Sequence, residues 1–244
     1  MSPNVVIKVE DLTMAYNDKP VLWDNDVDII KNSRTAIVGP NGAGKSTFIK
    51  GVLGLLPILS GSIEFFENKS LKEVQDKIAY IPQSKSVNWD FPTTALDVAL
   101  MGRYVHLGWI KRPRKRDYEI AEAALEKMGM ADFRNRQISQ LSGGQRQRVF
   151  LARTIAQDAE IYFMDEPLAG VDKTTEKVII DFLHEAQKNG KTSVVVHHDL
   201  NTLEEYFDHI VILNKRVIAQ GKMEDCLNQE NLDQADMRGF RIGS

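Results

Sequence analysis

The sequence predicts an α/β fold: a mixed or parallel sheet, an antiparallel β part near the N-terminus, and an α-helical subdomain inserted into the core. Three observations predict it. Short apolar runs at 35–38, 78–81, 161–164 and 193–196 read as buried strands, and stretches with helical spacing follow several of them. Strand-like runs at 5–9 and 12–16 are set off from Val21-Leu22 by the turn Asn17-Asp18-Lys19-Pro20. Beyond Pro92 the pattern turns helical, and Ala121, Ala124, Leu125 and Met128 fall on one face at i, i+3, i+4 and i+7. We read 1–244 as a single domain, with the core at 1–86 and 154–244 and the helical subdomain at 87–153.

Composition sets the bounds. A chain of 244 residues can bury one sizeable core. With 43% hydrophobic and 27% charged residues it has the composition of a soluble globular protein. A net charge of −3 argues against a dedicated nucleic-acid binder. Cys226 is the single cysteine, so no internal disulfide can form, which fits a reducing compartment. The first residues lack the pattern of a signal peptide, and the apolar stretch 51–59 is too short to cross a bilayer.

In chain order, the run 35–38 feeds Gly39-Pro40-Asn41-Gly42-Ala43-Gly44-Lys45-Ser46-Thr47, and apolar residues at helical spacing follow in 48–53. The run matches G-x-x-x-x-G-K-[ST], a phosphate-binding loop, at every defined position and in the strand–loop–helix context the motif needs. Its glycines let backbone N–H groups close round a phosphate at a helix N-terminus. Lys45 reaches the β- and γ-phosphates, and the Ser46 hydroxyl is a ligand for Mg²⁺. Further on, Ser60-Gly61-Ser62 reads as a turn, 63–66 as a strand, and 78–81 as a strand ending at Pro82-Gln83. Lys111-Arg112-Pro113-Arg114-Lys115-Arg116 holds five basic residues in six, which reads first as a solvated loop and otherwise as a contact for anionic lipid headgroups or nucleic acid, with lipid ahead because no aromatics interleave for base stacking. Leu141-Ser142-Gly143-Gly144-Gln145 opens a helix over 146–157. Strand 161–164 runs into Asp165-Glu166, and the helix after it places Val178, Phe182, Leu183 and Ala186 on one face. Strand 193–196 ends at His197-His198-Asp199, and 210–213 with 217–219 reads as a hairpin.

In a chain that carries a phosphate loop, an acidic pair after a buried strand has a specific use. Asp165 holds Mg²⁺ directly or through water, and Glu166 orients and polarises the attacking water.

Together the loop at 39–47, the Leu141-Ser142-Gly143-Gly144-Gln145 run and Asp165-Glu166 resemble the ATP-binding-cassette family, in that order and over nearly the whole chain. The resemblance implies an ATPase that uses ATP and Mg²⁺. It implies that Tyr16 stacks on adenine, that Gln83 senses the metal and the membrane partner, and that His198 is a switch histidine near the γ-phosphate. His197 is then a strand neighbour. Ala169-Gly170-Val171-Asp172 stands where the family's dimer-contact loop commonly reads Ser-Ala-Leu-Asp, so Asp172 keeps its role and Ala169 departs. Two copies are implied to face head to tail, with Ser142, Gly143, Gly144 and Gln145 of one closing on ATP held by the other.

Three functions compete. The first is the energising subunit of a membrane transporter, at the cytoplasmic face of the membrane. The second is a soluble cassette acting on nucleic acid or the ribosome, which usually carries two cassettes or a coiled-coil insertion. The third is a phosphate-loop GTPase, for which Asn214-Lys215-Arg216-Val217 lacks the guanine-reading aspartate. Transport is the reading adopted. Trp89-Asp90-Phe91-Pro92, Met101-Gly102-Arg103-Tyr104, Arg136-Gln137-Ile138-Ser139, Ala169-Gly170-Val171-Asp172 and Val196-His197-His198-Asp199-Leu200 look like bacterial manganese/zinc importer cassettes. That likeness implies a permease, a metal-binding lipoprotein, and manganese as cargo ahead of zinc and chelated iron.

Overall fold

The computed structural model describes residues 5–16, 19–83, 91–107 and 111–237. In chain order the elements are β1 (Val5–Tyr16), β2 (Lys19–Ile30), β3 (Arg34–Val38), α1 (Lys45–Val52), β4 (Ile58–Phe65), α2 (Leu71–Val74) and β5 (Ile78–Ile81). Next come α3 (Ala95–Met101), α4 (Tyr104–Leu107), α5 (Lys115–Lys127), α6 (Gly143–Gln157), β6 (Ile161–Asp165) and α7 (Lys173–Lys188). The last described elements are β7 (Thr192–Val196), α8 (Leu203–Tyr206), β8 (His209–Asn214), β9 (Arg216–Lys222), α9 (Met223–Cys226) and α10 (Gln229–Gln234). Backbone proximity divides the chain into two compact units, Met1–Gln75 with Gln187–Ser244, and Asp76–Ala186. These cuts follow different lines from the 87–153 insertion, because β5, β6 and most of α7 group with the helices.

The first unit holds an antiparallel sheet in the order β2-β1-β4 and the strands β7-β3-β8-β9. β3 pairs in parallel with β7 and β8, and β9 closes the edge antiparallel to β8. Thr35, Ala36, Ile37 and Val38 are buried, as a strand flanked on both sides requires. β2 alternates instead: Val27 and Ile29 are buried while Asp26 and Asp28 face solvent. Phe48, Ile49 and Val52 of α1 are buried, and a buried Phe or Ile contributes about 1.5–3 kcal/mol. Asn25 couples β2 to the hairpin: its Nδ2 donates to Lys215 O at 3.2 Å and its Oδ1 accepts from Val217 N at 2.7 Å.

In the second unit β5 and β6 form a parallel pair, and α3, α5 and α6 pack through Ala95, Ala99, Ala121, Leu125, Val149 and Ala152. Small residues at these positions let the helices approach closely. Gly102 marks the tightest approach, because a Cβ there would lie 2.1 Å from Arg153 O. Gly102→Ala is therefore expected to cost about 1–3 kcal/mol, as overpacking does. Thermal melting checks this, and an unshifted midpoint would contradict the close packing.

Three local expectations need correction. The runs 5–9 and 12–16 are one strand, β1, with register shifts on either side of Leu12 and a left-handed Asp11 at φ 52°. Ser60-Gly61-Ser62 is not a turn but lies within β4. Gly61, at φ 97°, sits over the Glu10 and Asp11 carbonyls, where a Cβ would come within 2.6 Å, so the glycine serves close approach and not reversal. In α7 the buried face runs through Thr175, Ile179, Phe182, Leu183 and Ala186, while Val178 is half-buried at its margin.

Candidate functional site

In the first unit, β3 delivers the chain into the phosphate loop. Gly39 has φ 157° and no room for a side chain, since a Cβ would stand 1.9 Å from Leu213 O. Gly42 and Gly44 turn through φ 81° and 99°, which favours glycine at both. The loop is braced by Ala43 N to Pro40 O at 3.1 Å and pinned to the end of β8 by Lys215 N to Ala43 O at 2.9 Å. Asn41 and Gly42 are exposed, while Ser46 and Thr47 sit half-buried in the first turn of α1. That helix begins with no side-chain cap and no acidic residue in its first turn. Lys45 is buried, and its Nζ donates to Gly39 O at 2.8 Å and to Pro40 O at 3.0 Å. Uncapped N–H groups at the positive end of a helix, with an ammonium folded over them, fit a polyphosphate.

The parallel register of β3 and β7 runs from Arg34↔Ser193 to Ile37↔Val196, so the residues after β7 emerge beside the loop. Strand alternation then sends the two histidines apart. His197 is buried against Phe207, and its Nε2 is 2.8 Å from Thr202 Oγ1. His198 is exposed and lines a cavity of about 380 Å³ with Pro40, Asp199, Asn201, Asp236 and Met237. Tyr16 ends β1 opposite Lys19, and its side chain lies outside the described residues. Trp89 also lies outside them, whereas Phe91 is exposed.

The second unit brings Gln83 and Glu166 together. Ile81 pairs with Met164, and two residues beyond each the Gln83 Nε2 donates to Glu166 Oε2 at 2.6 Å. Glu166 adopts φ 54°, a left-handed conformation unusual for glutamate. Such strain at the end of a buried strand is stored where the surroundings demand one side-chain direction. Asp165 closes β6 and is buried. Burial, with a smaller contribution from the Asp165 charge, pushes the Tyr80 hydroxyl up to about 12. The Asp165 carboxyl group fits a cation ligand and that of Glu166 fits a proton acceptor.

Also in this unit, Ser142 is the N-cap of α6 in a reciprocal box. Gln145 N donates to Ser142 Oγ at 3.3 Å, and Ser142 N donates to Gln145 Oε1 at 2.9 Å. Gly143 faces open space. Gly144 backs onto Asp172 and Thr175, where a Cβ would meet Thr175 Oγ1 at 2.9 Å and Asp172 Oδ2 at 3.1 Å. Asp172 in turn accepts from Thr175 N at 2.8 Å and Thr175 Oγ1 at 3.1 Å, and the backbone N–H of Thr175 is the main reason its carboxyl titrates below the usual range. Gly144→Ala is expected to disturb the Thr175 hydroxyl bond and lower stability by about 0.5–1.5 kcal/mol. A thermal melt matching wild type would show that the neighbours yield freely. Sequence reasoning missed Thr175, Thr202 and Asp236. Of these, Thr175 was findable, since Asp172-x-x-Thr175 has the spacing of a helix N-cap.

The family model described as ABC transporter matches residues 22–169. A zinc transport system ATP-binding protein, TroB, of Treponema pallidum (strain Nichols) is 53% identical over 98% of this chain and 88% of its own length. A manganese transport system ATP-binding protein, MntB, of Bacillus subtilis (strain 168) is 54% identical over 93% of this chain and 90% of its own. Among solved structures, an inward-facing ABC transporter assigned to the metal-chelate type superposes with a TM-score of 0.82 at 28% identity, covering 96% of this chain and 89% of that one. The α/β fold, with its mixed and antiparallel sheets, is that of the family's ATPase domains. The chain belongs to the ABC transporter family, as an ATP-binding ATPase domain.

Proposed function

We propose that this chain is the ATP-hydrolysing subunit of a bacterial importer of divalent transition metal, with manganese ahead of zinc as cargo. The observation that carries the reading is identity above 50% to ATP-binding proteins of a zinc and a manganese transport system over nearly the full chain. A separate permease supplies the pathway, and this subunit works peripherally at the cytoplasmic face. No helix among the described residues is long and apolar enough to cross a membrane. A metal-binding lipoprotein completes the system. The cassette itself does not touch the cargo.

The roles follow from the residues. Tyr16 stacks on adenine. Lys45 exchanges its carbonyl partners for phosphate oxygens, and the N–H groups of 39–47 wrap the phosphates. Ser46, Asp165 and Gln83 would hold Mg²⁺, which would supply neutralisation of the phosphate charge. Glu166 takes the proton of the attacking water, with His198 bonded near the γ-phosphate. The hydrogen bond between Gln83 and Glu166 links the residue that senses the permease to the general base. Two copies form the complete enzyme: Ser142, Gly143, Gly144, Gln145 and Asp172 of one close over nucleotide in the other. The helical stretch 87–153 contributes Ser142, Gly143, Gly144 and Gln145 to this surface.

Purification from solubilised membranes tests the assignment. Recovery of an integral membrane protein with this chain is expected. Recovery of ribosomes or DNA instead would favour the soluble cassette, which the transport-system relatives do not support.

A further inference from the structure

The basic run 111–116 is used neither by the nucleotide site nor by the closing surface. We propose that it forms, with Tyr104, Val105 and Tyr118, a docking face for an anionic lipid bilayer. This rests on the proposed function only in that a transporter subunit works beside a membrane.

Exposure and charge come first. Lys111, Arg112, Arg114, Lys115 and Arg116 are all exposed, in a chain whose net charge is −3. Among the described residues, Lys111, Arg112 and Arg116 make no ion pair, and Lys115 makes only an exposed one, 3.6 Å from Glu119. The nearest acid in sequence is turned inward: Asp117 takes Arg103 Nε at 3.2 Å and Arg114 N at 2.9 Å, and its side chain is 10% exposed. Lys111, Arg112 and Arg116 therefore face solvent without internal neutralisation, while Lys115 has only an exposed partner and Arg114 lies near the inward-turned Asp117.

Their position is also costly. Lys115 and Arg116 occupy the first turn of α5, where the positive end of the helix dipole favours acids. Local stability does not explain cations there, whereas attraction to an anionic surface does.

The surroundings point to a lipid interface. The ion pair between Arg103 and Asp117 ties the residue before α4 to the first turn of α5, and Tyr104 and Val105 on α4 and Tyr118 on α5 are exposed. Aromatic rings with Lys and Arg are the composition of the headgroup region, where the ring sits at the interface and the cation meets phosphate. Each cation near an anionic leaflet contributes roughly fivefold in partitioning.

Co-sedimentation of the full chain with vesicles, without nucleotide, tests the proposal independently of ATP chemistry. Binding is expected to vesicles of equal parts phosphatidylglycerol and phosphatidylcholine, to fade as salt is raised, and to be absent with phosphatidylcholine alone. The triple change Arg112→Gln, Lys115→Gln, Arg116→Gln should weaken partitioning about 10²-fold while ATP hydrolysis is retained. The pair Lys115→Glu, Arg116→Glu should abolish binding with an equal or higher melting point, because acids suit that helix turn, so loss of binding cannot be loss of fold. Equal binding by the triple variant, or equal binding of wild type to neutral vesicles, would overturn the proposal. So would capture of nucleic acid or of an acidic permease segment through these residues with no vesicle binding.

Discussion

Glu166→Gln is expected to cut ATP hydrolysis by about 10²–10⁴-fold while leaving ATP binding intact. The substitution keeps the size and hydrogen-bonding capacity of the side chain and removes the carboxylate that accepts a proton from water. The Gln83 Nε2 that now donates to Glu166 at 2.6 Å can still donate to the glutamine carbonyl oxygen, so the local structure has no reason to change. Lys45, Ser46 and Asp165 remain in place. With binding retained and chemistry blocked, two copies should accumulate as a closed dimer in Mg-ATP. Ser142 is exposed at the head of α6, so adding Ser142→Arg should dissolve that dimer without touching the phosphate loop. Phosphate release and size-exclusion chromatography read the two effects, and a glutamine variant working at the wild-type rate would remove Glu166 from the mechanism.

Lys45→Ala is expected to act one step earlier, weakening ATP binding by about 10–10²-fold. The ammonium is buried and held in the loop by the Gly39 and Pro40 carbonyls. Removing it leaves phosphate charge facing helix N–H groups alone. Charge-assisted hydrogen bonds are about twice as strong as neutral ones, which is why this loss exceeds that of an ordinary contact. Titration with a fluorescent ATP analogue checks it. Unchanged affinity would mean that the lysine only braces the loop.

Much of this site was legible in the sequence because its chemistry is local. The loop 39–47 carries its glycines, lysine and hydroxyl in one run, and the strand before it and helix after it follow from apolar spacing. The separation of His197 from His198 also follows from strand alternation. The contacts that join distant segments were not legible. The pairing of Gln83 with Glu166 depends on the register of β5 against β6, set by strand packing and not by either residue. Gly144 resting on Thr175 depends on where α7 starts relative to α6. Gly61 misled in the other direction, since a glycine between two serines reads as a turn, while here it clears the Glu10 and Asp11 carbonyls within β4. Val178 fell on the predicted face of α7, but the helix is rotated so that Thr175 and Ile179 carry the burial.

ATP hydrolysis by this chain drives divalent-metal import. The decisive measurement is uptake of radiolabelled manganese in a strain deleted for the chain and supplied with wild type or Glu166→Gln. Wild type is expected to restore uptake and the glutamine variant is not, with excess unlabelled zinc competing less strongly than unlabelled manganese. Uptake that is unaffected by the deletion, or restored equally by both forms, would contradict it.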